Sequence, residues 1–195
     1  METNGNIYIS LNFQKRDFIN LNLQLESSNR DWIKAVNIFN DRIDGRFIAP
    51  INALRRNNAS VNGFVIMAID CLLIDTFYQF ENGLDENANN NKCNYCSFLY
   101  KKFQNLFATK AQAEEFYKKI RCGILHSAQT KKNGILTTDR QVPVEFQNDV
   151  LYVSVERFTD CLIQYFYEYK QKLLNNENQK LRENFITKMN FICNK

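Results

Sequence analysis

Residues 63–80, which run from Gly63 through Asp70 and Asp75 to Phe80, constrain this chain more than any other segment. A helix that is apolar on nearly every side has no face to give to solvent, so it belongs at the centre of a helical bundle. Its most apolar part, residues 64–78, is broken by two carboxylates and is shorter than the roughly 20 residues that a membrane crossing requires, so a buried core helix is expected and no membrane partner. A carboxylate in such a helix is costly unless it is paired or faces a cavity. Asp70 and Asp75 are therefore expected to line a pocket or to hold an arginine from a neighbouring helix.

The remaining pattern is mostly helical. Residues 6–13 alternate polar and apolar side chains, which suits a short half-buried strand within an N-terminal extension, 1–28. Asn29 or Asp31 can cap a helix whose apolar face is Trp32, Ala35, Val36, Phe39 and Ile43. That helix is expected to pause near Gly45, resume around Phe47, Ile51 and Leu54, and end in a polar loop at residues 55–60. Residues 81–92, rich in Asn and Asp, read as a loop, and helices follow over about residues 96–107 and 110–122. After residue 130 the period changes to two, and Ile135–Thr138, Val142–Phe146 and Val150–Val155 read as a small antiparallel insert, with Pro143 confining its strand to an edge. Helix returns at residues 155–195, where Leu181, Phe185, Met189 and Ile192 form an amphipathic stripe expected to pack on its own domain. The expectation is one mainly α domain over 1–195, with a helical core at 30–130, a β-hairpin at 134–155 and C-terminal helices at 155–195.

A hydrophobic content of 45% with 24% charged residues is ordinary for a globular chain, which sets disorder aside for most of it. The net charge of +4 permits a local basic patch and no more. Residues 1–6 lack the basic start and apolar run of a secretory signal, so the expected setting is cytoplasmic, with the six cysteines reduced. Cys93 and Cys96 have a metal-binding or redox spacing, but no second pair or neighbouring histidine completes four ligands, so neither a metal nor another cofactor is expected.

The chemistry concentrates in residues 116–132. His126 is the only histidine of the chain, and it lies five residues after Arg121. Histidine is the side chain best able to move protons near neutral pH, and arginine is the one best suited to clamp a phosphate, so the pair points toward phosphodiester chemistry. Five helical residues turn through about 500°, or about 140° net, so the two would not share a face of a regular helix. Gly123 offers a place to bend, or else permits close packing.

Arg121 and His126, separated by four residues at the end of a helical stretch, resemble the Arg-x4-6-His signature of the HEPN domain family. The text from Phe116 to His126, with the upstream run from Phe64 to Asp75, is similar to uncharacterised bacterial HEPN-like proteins over about residues 30–175. Where that family usually has a polar residue after the arginine, this chain has Cys122. The resemblance implies a helical bundle that dimerises and cleaves RNA without a metal, in a toxin, antiphage or RNA-processing setting, restrained by an antitoxin or another regulatory protein.

Metal-free RNA cleavage activates the ribose 2′-OH against the adjacent phosphorus, and it needs a base, an acid for the leaving oxygen, and positive charge on the transition state. One chain supplies one imidazole; a two-fold homodimer supplies two imidazoles and two guanidinium groups. His126 is then the proton-transfer residue and Arg121 the phosphate clamp. Lys131 and Lys132 are candidates for flanking phosphates, and Ser127, Gln129 and Tyr117 for hydrogen-bonding help. Two alternatives stand beside this reading: a catalytically inactive HEPN-like module that binds RNA, nucleotide or protein, and a helical structural domain in which Arg121 and His126 cap a helix and bond a carboxylate such as Asp70 or Asp75.

Overall fold

The computed structural model describes residues 2–3, 6–84 and 91–194. The elements in chain order are strands β1 (Glu2–Thr3) and β2 (Asn6–Ile7), then helices α1 (Lys15–Ile19), α2 (Asn29–Ile43) and α3 (Ala49–Asn82). They are followed by α4 (Asn91–Lys102), α5 (Lys110–Phe116) and α6 (Cys122–Ser127), strands β3 (Gly134–Thr137), β4 (Val144–Gln147) and β5 (Val150–Ser154), and helices α7 (Val155–Leu174) and α8 (Gln179–Asn194). Short π-helical segments join α2 to α3 at Asp44–Ile48 and α5 to α6 at Tyr117–Arg121. The protein is mainly helical, with a small three-stranded sheet. The chain divides into two compact units, residues 1–50, 79–87 and 165–195, and residues 51–78 and 88–164.

The first unit is built on aromatic packing. Phe39 lies against Phe80, Phe166, Tyr169 and Phe185, with ring centroids 4.5–5.8 Å apart. Edge-on and tilted contacts of this kind add to the area they bury. Met189 and Cys193 continue the buried seam of α8 from Phe185, and Arg182 lies buried beside it. Leu181 and Ile192 of the expected stripe are half-buried. The Arg182 guanidinium donates to the carbonyls of Leu173 and Leu174 at 2.8 and 3.2 Å, satisfying the end of α7, and stacks over Trp32. The cap of α2 is Ser28, one residue before the expected Asn29, and its hydroxyl accepts from the Asp31 N–H. At the N-terminus β2 ends at Ile7 rather than at residue 13, and the short helix α1 follows it. Arg46 donates to the Tyr8 and Ser10 carbonyls there.

The expected pause at Gly45 is a π-helical turn, because the chain keeps its helical direction through residues 44–48. The expected polar break at residues 55–60 is present as a kink rather than a loop: two helices meet there at Asn58. Only Asn58 leaves helical geometry (φ −171°, ψ 102°), and its side chain accepts from the Val61 N–H at 3.2 Å, so Asn58 caps the apolar segment that follows. The polar composition marks the break, and the Asn58 cap keeps it short. The helical run at residues 29–82 holds one 18-residue window apolar enough to cross a membrane by composition, with 44% of that window buried inside the protein. Ile66, Met67, Asp70, Cys71, Ile74 and Phe77 are among its buried residues.

In the second unit, Phe116 stacks on Phe158 (5.0 Å) and meets Phe107 edge-on (5.5 Å). Thr109 and Gln112 form a reciprocal capping box that starts α5. The sheet order is β3-β5-β4. Strands β4 and β5 pair antiparallel, but β3 runs parallel to β5, so the insert is not wholly antiparallel as expected. Strand β5, with Leu151 and Val153 buried, is the centre of the sheet and accepts a partner along each edge. Residues 138–143 carry the chain across to the far edge, where Pro143 immediately precedes β4. Asn148 and Asp149 turn β4 into β5 with φ of 48° and 63°, the left-handed pair that a two-residue hairpin turn requires. Asp149→Gly should raise the unfolding free energy by roughly 0.5–1 kcal/mol in denaturant titration, since glycine is the preferred second residue of this turn and only the Asp149 carbonyl is used in bonding.

Candidate active site

Phe116 and Ile120 are fully buried, and they anchor the helix that carries Arg121. The π-helical turn at Tyr117–Arg121 ends where the Cys122 N–H bonds to the Tyr117 carbonyl, five residues back. Such single widened turns occur often at functional sites. The Lys119 carbonyl accepts from the Lys131 N–H at 2.8 Å, which ties the segment after α6 back onto the helix that precedes it.

Gly123 makes that return feasible. A Cβ at this position would lie 2.5 Å from the Gln129 carbonyl oxygen, 2.8 Å from the Lys131 nitrogen and 3.0 Å from the Thr130 Cα. Gly123 sits within α6 and permits close backbone packing; it is not a bend that swings Arg121 and His126 onto one face. Helix α6 ends at Ala128 in the left-handed conformation (φ 50°). Gly123→Ala should lower stability by about 1–3 kcal/mol, because backbone rather than a side-chain tip would have to move; thermal unfolding will show this as a drop of several degrees.

Arg121 turns inward. Its guanidinium pairs with Asp75 of α3 at 3.4 Å and lies 5.2 Å from the centre of the Tyr117 ring, and Nε is buried without a hydrogen-bond partner. Tyr117 in turn packs edge-on against buried Tyr95. Burial pushes the Asp75 carboxyl above its ordinary range, and the Arg121 charge only partly brings it back. For Arg121 burial works against the charge, yet Asp75 and Tyr117 outweigh it and hold the guanidinium above its ordinary value. Of the two expected arginine partners, Asp75 fills the role and Asp70 does not.

Asp70 is fully buried. The Thr159 hydroxyl lies 2.7 Å from Asp70 Oδ2 and 2.8 Å from the Val155 carbonyl oxygen, and Oδ1 has no partner. A threonine has one hydroxyl proton, so it cannot donate to both acceptors. Both contacts are satisfied when Thr159 donates to Val155 and a protonated Asp70 donates to Thr159. Burial, offset in part by Thr159 and by the charge of Arg55, pushes the Asp70 carboxyl up to about 7.

An unfolded aspartate titrates near about 3.9, so between there and about pH 7 the folded state holds a proton that the unfolded chain has lost. Stability should therefore fall as pH rises through that window, by at most about 1.4 kcal/mol per unit, and level off above it. Asp70→Asn, whose amide reproduces the donated bond, should flatten this fall in denaturant titrations at pH 5–8.

His126 is exposed on α6 and has no side-chain hydrogen bond or ion pair among the described residues. The single chain thus places Arg121 in an inward cluster with Asp75 and Tyr117 and leaves His126 facing solvent beyond it. Ser127, Gln129, Lys131 and Lys132 are also exposed. The Lys131 backbone is fixed to Lys119, whereas its side chain is exposed and makes no ion pair among the described residues. Cys122 is half-buried beside Tyr117. Cys93 is exposed while Cys96 is buried with its thiol toward the Ala113 carbonyl at 3.7 Å; no group of three metal-ligating side chains gathers among the described residues. Thr159 and Tyr95 were not foreseen, since each reaches the site from far along the chain. No family model matches the sequence, and comparisons with curated proteins and with solved structures find no match.

Proposed function

We propose that the protein is a metal-independent endoribonuclease of HEPN type, active as a homodimer in which two copies of the Arg121–His126 segment form one composite site. The setting we propose is a cytoplasmic toxin or antiphage defence system, with an antitoxin or regulatory protein as a further partner. The observation that carries the reading is His126: the sole imidazole of the chain stands exposed and unbonded among the described residues, five residues after a half-buried arginine. An imidazole whose ring nitrogens are both open to solvent is accessible to the proton of a substrate.

Base and acid must both be supplied to cleave RNA through its 2′-OH, so a single imidazole demands a second copy. An apolar stripe supports that demand. Val61, Val65 and Leu72 follow one another along α3 at spacings of four and seven and are 75%, 52% and 44% exposed, and Leu125, next to His126, is 49% exposed. Leu72 lies one helical turn before Asp75, the partner of Arg121. A self-complementary two-fold contact along this stripe would cover it and bring the two sites together.

A second reading, a helical structural domain in which Arg121 bonds a carboxylate, is favoured by the Arg121–Asp75 pair, which already occupies part of the guanidinium that would hold a phosphate. The nuclease reading expects RNA to open that pair, whose 3.4 Å separation is longer than a strong charge-assisted bond. Purified protein should cleave single-stranded RNA in the presence of chelator and leave 2′,3′-cyclic phosphate ends, and His126→Ala should lower the rate at least about 100-fold. Equal activity of wild type and His126→Ala across a broad RNA panel would sink the proposal, as would a strictly monomeric protein that cleaves at full rate.

A further inference from the structure

In the second unit a cleft of about 460 Å³ lies where the start of the apolar half of α3 meets the end of β3. Its volume is within the range of small-ligand sites. Phe64 and Val155 supply apolar surface, and the Phe64 ring is 38% exposed. The polar lining is Ser60, Thr137, Thr138 and Asp139. Ser60 and Thr138 hydroxyls lie 3.3 Å apart, and Thr137 Oγ1 is buried without a hydrogen-bond partner. Among the described residues no lysine or arginine lines the cleft, so it is not built for a phosphate.

An aromatic face, hydroxyls and a carboxylate without a cation describe a seat for a flat, uncharged group with hydrogen-bond donors on its edge. Unpaired bases of RNA are recognised in this way, by stacking on an aromatic ring and by hydrogen bonds to the Watson–Crick edge. Guanine presents two adjacent N–H donors there, which match the two oxygens of one carboxylate, and the other bases do not. We propose that this cleft is a nucleobase subsite that accepts an unpaired guanine, with Asp139 reading its donor edge, Phe64 stacking on its face and Thr137 accepting a further hydrogen bond. Its role as a specificity site for RNA rests on the ribonuclease reading; its ability to take the base does not.

The test is equilibrium binding of guanosine, adenosine, cytidine and uridine to the full chain, followed by saturation-transfer NMR. Guanosine should bind tightest, with Asp139→Asn and Thr137→Val each weakening it, the former about tenfold or more. Both variants should unfold at the wild-type temperature, since Asp139 is exposed and the deleted Thr137 hydroxyl makes no bond in the protein. Absence of nucleoside binding, or binding unchanged in both variants, overturns the subsite. If guanosine binds through these residues while RNA stays intact, the subsite stands and the nuclease reading falls. If RNA is cleaved with the same sequence preference in wild type and Asp139→Asn, the subsite falls and the nuclease reading stands.

Discussion

The backbone contact at Gly123 governs the chemistry-bearing part of the molecule. Because that residue lacks a Cβ, residues 129–131 lie directly on the helix, and the Lys131 N–H closes onto the Lys119 carbonyl. The contact determines where α6 stops, so His126 and Ser127 end the helix at the surface. It also determines where β3 begins, and β3 then delivers Thr137 to the cleft beside Phe64. The two candidate functional regions thus hang from one close approach.

Two carboxylates of one helix, Asp70 buried and Asp75 half-buried, have opposite fates, and the difference is what faces them. Asp75 meets a guanidinium and remains part of an ion pair, at a distance longer than a strong charge-assisted bond. Asp70 meets a hydroxyl that already serves a carbonyl, and the economical solution is a neutral acid. The pair holds Arg121 against α3, whereas Asp70 ties α3 to Thr159 of α7 within the core. Both follow from the cost of leaving a charge in apolar surroundings.

Helical character was legible wherever apolar spacing persisted, as at Trp32–Ile43, through the run around Ile66 and Phe77, and at Phe158–Tyr169. The hairpin turn could be read from Asn148–Asp149, and the edge position of β4 from Pro143. Three features resisted. The polar segment 55–60 is a kink between two helices rather than a loop, because the Asn58 side chain caps the second helix at once. The parallel course of β3 depends on which edge of β5 stays free, and no local pattern records that. The cleft is assembled from Ser60 and Thr138, 78 residues apart, each ordinary by itself. A Thr-x-x-Gln capping box at Thr109 and Gln112 was a local signal that could have located α5 more closely.

The amino-acid sequence by itself determined that the chain is mainly helical, that Asp70 and Asp75 would need partners, and that any imidazole chemistry must use His126, because composition and periodicity act locally and the histidine is alone. Only the tertiary structure decided that Asp75 rather than Asp70 holds Arg121, that Gly123 is a contact rather than a bend, and that Arg121 turns inward while His126 faces water. Those outcomes depend on which atoms meet across dozens of residues of chain, and burial and hydrogen-bond satisfaction settle them only once the elements have packed.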